Sequence, residues 1–180
     1  MEITIRELNQ LNLQDADRCD GAFTVDARLV LFAEDGIIRY TVVSTPLYQK
    51  RYLLDEVDYA DYIGNPHKTV YFAYVDHEVA GQIRLCRYWN RYAYIKDIVV
   101  DSHFRRRGVG RELVQAAKQW ACDKQLAGVM LETQNNNIGA CRLYERCGFE
   151  LAGFDRRLHQ GLNPDTDEIA LYWYWMRKSG

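Results

Sequence analysis

The sequence predicts a mixed α/β domain, in which an antiparallel meander of strands leads into a β-α-β-α-β unit and one further strand. Three observations carry this expectation. Two β-rich hairpins precede residue 90, each closed by a short turn signal, Asp35-Gly36 and His77-Glu78. A β-branched and aromatic run from Tyr94 to Val100 then passes through a glycine-rich turn into residues at helical spacing, Leu113, Ala117, Trp120 and Ala121. After the next strand, Ile138, Cys141, Leu143, Tyr144 and Cys147 mark a second amphipathic helix, which Gly148 stops.

In chain order, Ile3 and Ile5 alternate with Thr4 and Arg6 as a short first strand, and Leu11 to Cys19 is a helical or irregular connection. Arg28 to Glu34 and Ile37 to Val43 are the arms of the first hairpin. Ser44-Thr45-Pro46 then opens a stretch, Leu47 to Ile63, whose tyrosines and acids predict a polar loop with helical turns, closed by Gly64-Asn65-Pro66. The second hairpin spans Thr69 to Asp76 and Val79 to Trp89, and Asn90-Arg91 connects it tightly to the central strand. The helix from Arg111 to Lys124 crosses over to Gly128 to Thr133, which a right-handed connection places parallel to the Tyr94 strand. Phe149 to Phe154 and Glu168 to Trp175 form a last pair of strands.

A chain of 180 residues with 48% hydrophobic content is long enough for one full core, so residues 1–180 are expected to form a single domain. The N-terminal MEITIRELNQ has no basic region followed by an apolar run, and no segment is long and apolar enough to span a bilayer. A cytoplasmic protein without a membrane partner is the expectation. Five scattered cysteines lack Cys-x-x-Cys spacing, which predicts reduced thiols and no zinc site, and the four histidines lack metal spacing and default to the surface. The net charge of −2 divides unevenly: residues 1–80 hold 7 basic against 14 acidic side chains, and residues 81–180 hold 16 against 11. Such a split fits a cationic substrate and a phosphorylated cofactor, provided the sequence halves also form separate surfaces. One short basic run in a chain of pI about 6.1 makes no nucleic-acid footprint.

That basic run, Arg105-Arg106-Arg107-Gly108-Val109-Gly110, lies where strand becomes helix. Glycines at such a joint let backbone N–H groups turn toward an anion, the helix N-terminus favours negative charge, and arginines add charge-assisted donors. A basic solvated loop entering a surface helix reads equally well. A Walker loop is excluded, because no Gly-Lys-Ser/Thr follows. In the strand before it, strict alternation puts Ile95, Asp97 and Val99 on one face, so Asp97 is expected between apolar neighbours unless a bulge shifts the parity. A carboxylate there must be paired, for example with Arg84, or hydrogen-bonded, or raised in pKa and ready to take a proton. Tyr144 reads as a core tyrosine or a proton donor, and Asn137 as a helix N-cap or a ligand contact. Trp89, Tyr94 and Glu132 are candidates for an acceptor pocket.

Two motifs together resemble the GNAT acetyltransferase superfamily. Arg105-x-x-Gly108-x-Gly110 is similar to its Q/R-x-x-G-x-G/A pyrophosphate signature, and Asn137-x-x-Ala140-x-x-x-Tyr144-Glu145-x-Cys147-Gly148-Phe149 to its N-x-x-A-x-x-x-Y-E-x-x-G-F segment. Within it, Trp89 to Ile95, Leu131-Glu132-Thr133-Gln134-Asn135-Asn136-Asn137 and the terminal Tyr172-Trp173-Tyr174-Trp175 resemble the streptothricin (nourseothricin) acetyltransferases, from about Pro46 onward.

The resemblance implies the GNAT fold and transfer of acetyl from acetyl-CoA to an amine on the β-lysine moiety of streptothricin, which inactivates the antibiotic. It implies no metal. Ile98, Val99 and Val100 would bind the pantetheine arm and thioester, and Arg105, Arg106, Arg107, Gly108, Val109 and Gly110 the pyrophosphate. Asn137 would contact the pantetheine. Asp97 would hold or deprotonate the amine, and Tyr144 would protonate the CoA sulfur, by direct attack in a ternary complex. Other acceptors consistent with the family are a polyamine, an aminoglycoside or a protein lysine, and a regulatory module that holds CoA without turnover is a separate class. Streptothricin-like cationic amine and acetyl-CoA are thus the expected partners, with a homodimer as a candidate assembly.

Overall fold

The computed structural model describes residues 2–53 and 55–178. In chain order it contains β1 (Ile3–Glu7), β2 (Phe23–Glu34), β3 (Ile37–Lys50), β4 (Lys68–Val75), β5 (Glu78–Arg87), β6 (Ala93–Val100), α1 (Val109–Asp123), β7 (Gly128–Gln134), α2 (Ile138–Arg146), β8 (Glu150–Asp155) and β9 (Ala170–Met176), with short 3-10 turns between them. The chain divides into two compact units.

The first unit comprises the chain up to Ala22, Arg51–Val129 and the chain from Met176. Its strands run β1-β4-β5-β6, each antiparallel to its neighbour. The β4–β5 turn is tight because Asp76 and His77 both take positive φ, at 49° and 71°, as a two-residue hairpin with right-handed strand twist requires. Val70 and Phe72 of β4 form one buried cluster with Leu8 and Tyr74, and Leu113, Ala117 and Ala121 are the buried stripe of α1, with Leu113 facing Gly81 of β5. These α1 residues recur at helical spacing, and the predicted helix is confirmed two residues longer at its start.

Glycine is needed at one point of this packing. A Cβ added to Gly81 of β5 would lie 2.9 Å from both the Val99 carbonyl oxygen and Leu113 Cδ1. The missing side chain lets α1 lie against the end of β6, where the glycine-arginine turn begins.

The second unit comprises Phe23–Lys50 and Met130–Trp175. Here β9 lies between β7 and β8 and is antiparallel to β8. The β2–β3 hairpin pairs Glu34 with Ile37 across Asp35 and Gly36, whose φ values are 52° and 76°. It is longer than its sequence signal, since β3 continues through Pro46 to Lys50 where a polar loop was expected. The register explains how: Ala27 pairs with Ser44 but Val25 with Tyr48, so Thr45, Pro46 and Leu47 bulge out of the ladder. Proline lacks the N–H a regular ladder needs, and the bulge removes that need. In α2, Asn137 caps the first turn by accepting from the Ala140 N–H at 3.1 Å, and Gly148 takes φ 77° just past the end.

Gly81→Ala is therefore expected to cost roughly 1–3 kcal/mol, because one of the two nearest obstacles is a backbone carbonyl that cannot rotate away as the Leu113 tip can. Urea unfolding followed by circular dichroism measures it, and unchanged stability would remove this contact from the packing argument.

Candidate active site

In the first unit the glycine-arginine turn leads into the N-terminus of α1. Gly108 caps α1 from the left-handed region, φ 92°, without a side-chain hydrogen bond to the first turn. The leading N–H groups of a fifteen-residue helix thus lack a side-chain cap, at the end where its dipole favours negative charge. Arg106 and Arg107 are exposed beside it, Arg106 with φ 63° and Arg107 over the Phe104 ring at 5.7 Å. Arg105 does different work: its Nε donates to the Val100 carbonyl at 3.1 Å and its Nη2 to the Asp20 carbonyl at 3.3 Å. It binds the turn to the end of β6, leaving Arg106 and Arg107 as the outward cations. Ile98, Val99 and Val100 are half-buried at that strand end, and Val109 is buried.

Asp97 departs from strict alternation. Arg84 of β5 pairs with Asp97, whereas Leu85 pairs with Ile95, so Lys96 is an extra residue in β6. The bulge reverses the face of everything before it. Asp97 and Val99 therefore share a face with Tyr94, not with Ile95, which corrects the expectation of an apolar neighbour on each side. Tyr94 itself stacks on Tyr88 at 4.8 Å, and Trp89 is 84% exposed.

The expected Arg84–Asp97 ion pair does not form either. Arg84, buried to 7% exposure, donates its Nη2 to Asp55 at 2.9 Å. Asp97 stays half-buried, and burial pushes its pKa up; Arg84 pulls it down, while Asp17 and Asp55 add to the rise. Asp55 instead lies below the carboxylate range, held there first by the Arg84 hydrogen bond. Two carboxylates near one guanidinium are thus driven apart, the arrangement that leaves one as a base. Beside them Gln82 donates to Asp17 at 3.2 Å and to the Tyr59 hydroxyl at 3.0 Å, fixing the N-terminal segment to β5.

In the second unit, Tyr144 is 3% exposed on α2, with its ring against Phe149 at 5.8 Å and Trp173 at 6.2 Å. Asn137 is occupied as the cap just described. Glu132 on β7 meets His159 Nε2 at 3.0 Å, so His159 is not the surface histidine its sequence context predicted. Burial pushes the Glu132 carboxyl up, with His159 and then Lys50 opposing. Lys50, at the end of β3, donates to Gln134 Oε1 at 2.5 Å and pairs with Glu168; burial pushes its ammonium down to about 8, against Glu132. Lys50, His159 and Glu168 carried no motif, and only their meeting in the fold marks them.

The asparagine run after β7 has a different task at each position. Asn135 is 4% exposed; its Nδ2 donates to the Leu29 carbonyl at 3.1 Å and its Oδ1 accepts from the Ile169 N–H at 3.0 Å. It clasps the β2–β3 hairpin to the segment entering β9. Asn136 donates to Glu168 at 3.0 Å and to the Tyr48 hydroxyl at 3.1 Å.

Comparison with known proteins gives the class as an acyltransferase. Residues 37–149 match the acetyltransferase (GNAT) family model, and the chain belongs to that family. It is an acetyl-CoA-dependent N-acetyltransferase of the streptothricin acetyltransferase type. The chain is 34% identical over 173 residues to streptothricin acetyltransferase A of Bacillus subtilis (strain 168), covering 95% of this chain and 98% of that protein. It is 41% identical over 128 residues to the streptothricin acetyltransferase of Escherichia coli, covering 71% of this chain and 70% of that one. Among solved structures, a Bacillus anthracis str. Ames protein assigned as a streptothricin acetyltransferase, in complex with acetyl coenzyme A, superposes with a TM-score of 0.91 at 43% identity and 99% coverage of both chains. The fold is therefore the mixed α/β GNAT fold.

Truncating the clasp leaves a buried carbonyl and a half-buried N–H without their side-chain partner. Asn135→Ala is expected to destabilise the protein by roughly 2–3 kcal/mol, read as a lower urea midpoint. A shift within error would mean that water replaces both contacts.

Proposed function

We propose that this protein transfers the acetyl group of acetyl-CoA to an amine on the β-lysine moiety of streptothricin, inactivating the antibiotic by direct transfer in a ternary complex. The observation that carries the proposal is the near full-length likeness to streptothricin acetyltransferases, joined to a half-buried Asp97 left outside the Arg84 ion pair.

Acetyl-CoA fits the turn at the start of α1, since Gly108 at φ 92° keeps the helix N-terminus open and Arg106 and Arg107 face outward. When bound it supplies the activated thioester. The backbone of Ile98 to Val100 and the turn from Arg105 to Gly110 hold and orient it, and Asn137 offers its side-chain amide to the pantetheine arm.

A lysine-like amine of pKa about 10.4 is protonated at neutral pH and has no free lone pair for attack. Asp97 takes that proton, directly or through water, in a surrounding that disfavours its own charge and so strengthens it as a base. Tyr94 and Trp89 border the amine, and Glu132 holds a second cationic group. Tyr144 gives its hydroxyl proton to the departing sulfur. No covalent acyl-enzyme is required, and burial pushes the thiols of Cys19 and Cys141 up to about 11 and about 12, which leaves them poor nucleophiles at neutral pH.

Thiol release from acetyl-CoA, followed with streptothricin, spermidine and a lysine peptide in parallel, tests the acceptor; turnover of the peptide alone would overturn it. Tyr144→Phe should lower kcat by roughly a hundredfold or more while acetyl-CoA binding, measured by calorimetry, changes little. Wild-type turnover would remove the acid role.

Asp97 must be ionised to act, so kcat/KM for the amine should fall on acidification at a pH above the ordinary carboxylate range, because burial raises its pKa. For stability the sign is opposite. A folded pKa above the unfolded one means the contribution is present at low pH and lost as pH rises through the folded value. Asp97→Asn should therefore lose most activity yet melt at or above the wild-type temperature at pH 7, and lower melting with full activity would sink both roles.

A further inference from the structure

The second unit contains a cavity of about 480 Å³ under the β2–β3 hairpin, lined by Arg28, Thr45, Tyr48, Asn136, Asp167 and Glu168 among others. Its walls are only partly satisfied. Arg28 Nε, Thr45 Oγ1 and Asn136 Oδ1 are each buried without a hydrogen-bond partner among the described residues. A buried polar atom without a partner is destabilising, and three in one cavity wall concentrate that cost.

The Asn136 amide is oriented without ambiguity. Its nitrogen donates to Glu168, whose carboxylate can only accept, so the oxygen is the atom left over. Asn136 is 6% exposed, and Tyr48 also receives its Nδ2, so neither rotation nor bulk water satisfies Oδ1. Elsewhere in the wall the charges are committed: Arg28 pairs with Asp167 and Lys50 with Glu168.

What remains is a donor, an acceptor and a hydroxyl that serves as either. Arg28 Nε–H needs an acceptor, Asn136 Oδ1 needs a donor, and Thr45 takes both roles. Asp167 and Glu168 are each paired with a cation, so the two ion pairs add no net charge to the wall. The complement is a neutral group bearing hydroxyl or amide functions, and a cavity of this size admits a sugar-sized ring.

We propose that this cavity is a specificity subsite that binds a neutral, hydroxyl- and amide-bearing part of the acceptor. This rests on the streptothricin reading above. The subsite would let the enzyme distinguish a whole antibiotic from a simple amine, because a site built around hydrogen bonds rejects ligands that leave its buried groups unpaired.

Thr45→Val removes the hydroxyl at constant shape, and Arg28→Lys keeps the charge facing Asp167 while deleting Nε. In each, the ratio of kcat/KM for streptothricin to that for free β-lysine should fall roughly tenfold, the effect of about one lost hydrogen bond. The affinity of streptothricin in calorimetry without acetyl-CoA should fall by a similar factor. Unchanged ratios and affinities in both folded variants would overturn the subsite, as would equal losses with both amines or the absence of wild-type streptothricin binding. Wild-type binding of streptothricin without its acetylation, weakened in the variants, would overturn the activity assignment and leave the subsite standing.

Discussion

The chemistry proposed for this protein depends on one irregularity, the extra residue at Lys96 in β6. With regular pairing, Asp97 would follow Ile95 and face the same way. The bulge instead aligns it with Arg84 and puts it on the same face as the stacked Tyr94. Local backbone geometry thus decides whether this carboxylate is a buried liability or a usable base. Gly81 serves the same end from the neighbouring strand, because its missing side chain lets α1 approach the carbonyl of Val99.

Electrostatics then separates two neighbouring acids. Asp55 takes the guanidinium of Arg84 in a direct hydrogen bond and is held ionised, whereas Asp97 feels the same charge without the contact and keeps the penalty of burial. A paired carboxylate is a poor base, because its charge is already compensated. The second unit shows the same logic with other residues: Glu132 and Lys50 both lie in surroundings that disfavour their charges, and His159 and Glu168 respectively compensate them.

Both units accept polar cost where ligands are expected and pack densely elsewhere. Val70, Phe72, Ile83, Leu85 and Leu113 are fully buried, yet the hairpin cavity of the second unit leaves three buried polar atoms unpaired. Natural sequences break local rules chiefly at functional sites, and the stability lost there is offset by such cores.

The sequence by itself determined the order of elements, the Asp35-Gly36 hairpin turn, a helix after the glycine-arginine turn, the stop of α2 at Gly148, and the acetyltransferase family. These depend on residues close together in the chain, where glycine, proline, capping side chains and period are readable. The second hairpin, by contrast, turns at Asp76-His77, one residue before its His77-Glu78 signal, and α1 begins at Val109 rather than Arg111. Tertiary structure alone decided the rest. Pro46 could not announce that a bulge would carry β3 on to Lys50, and no local pattern could show that Arg84 would choose Asp55 over Asp97. His159 and Lys50 became partners of Glu132 and Glu168 from 27 and 118 positions away. The glycine-arginine turn was legible as the joint between strand and helix, but that Arg105 would be spent on backbone carbonyls was not. Pairing across such distances is set by which strands meet and in what register, and the register here turns on single extra residues that leave no compositional mark.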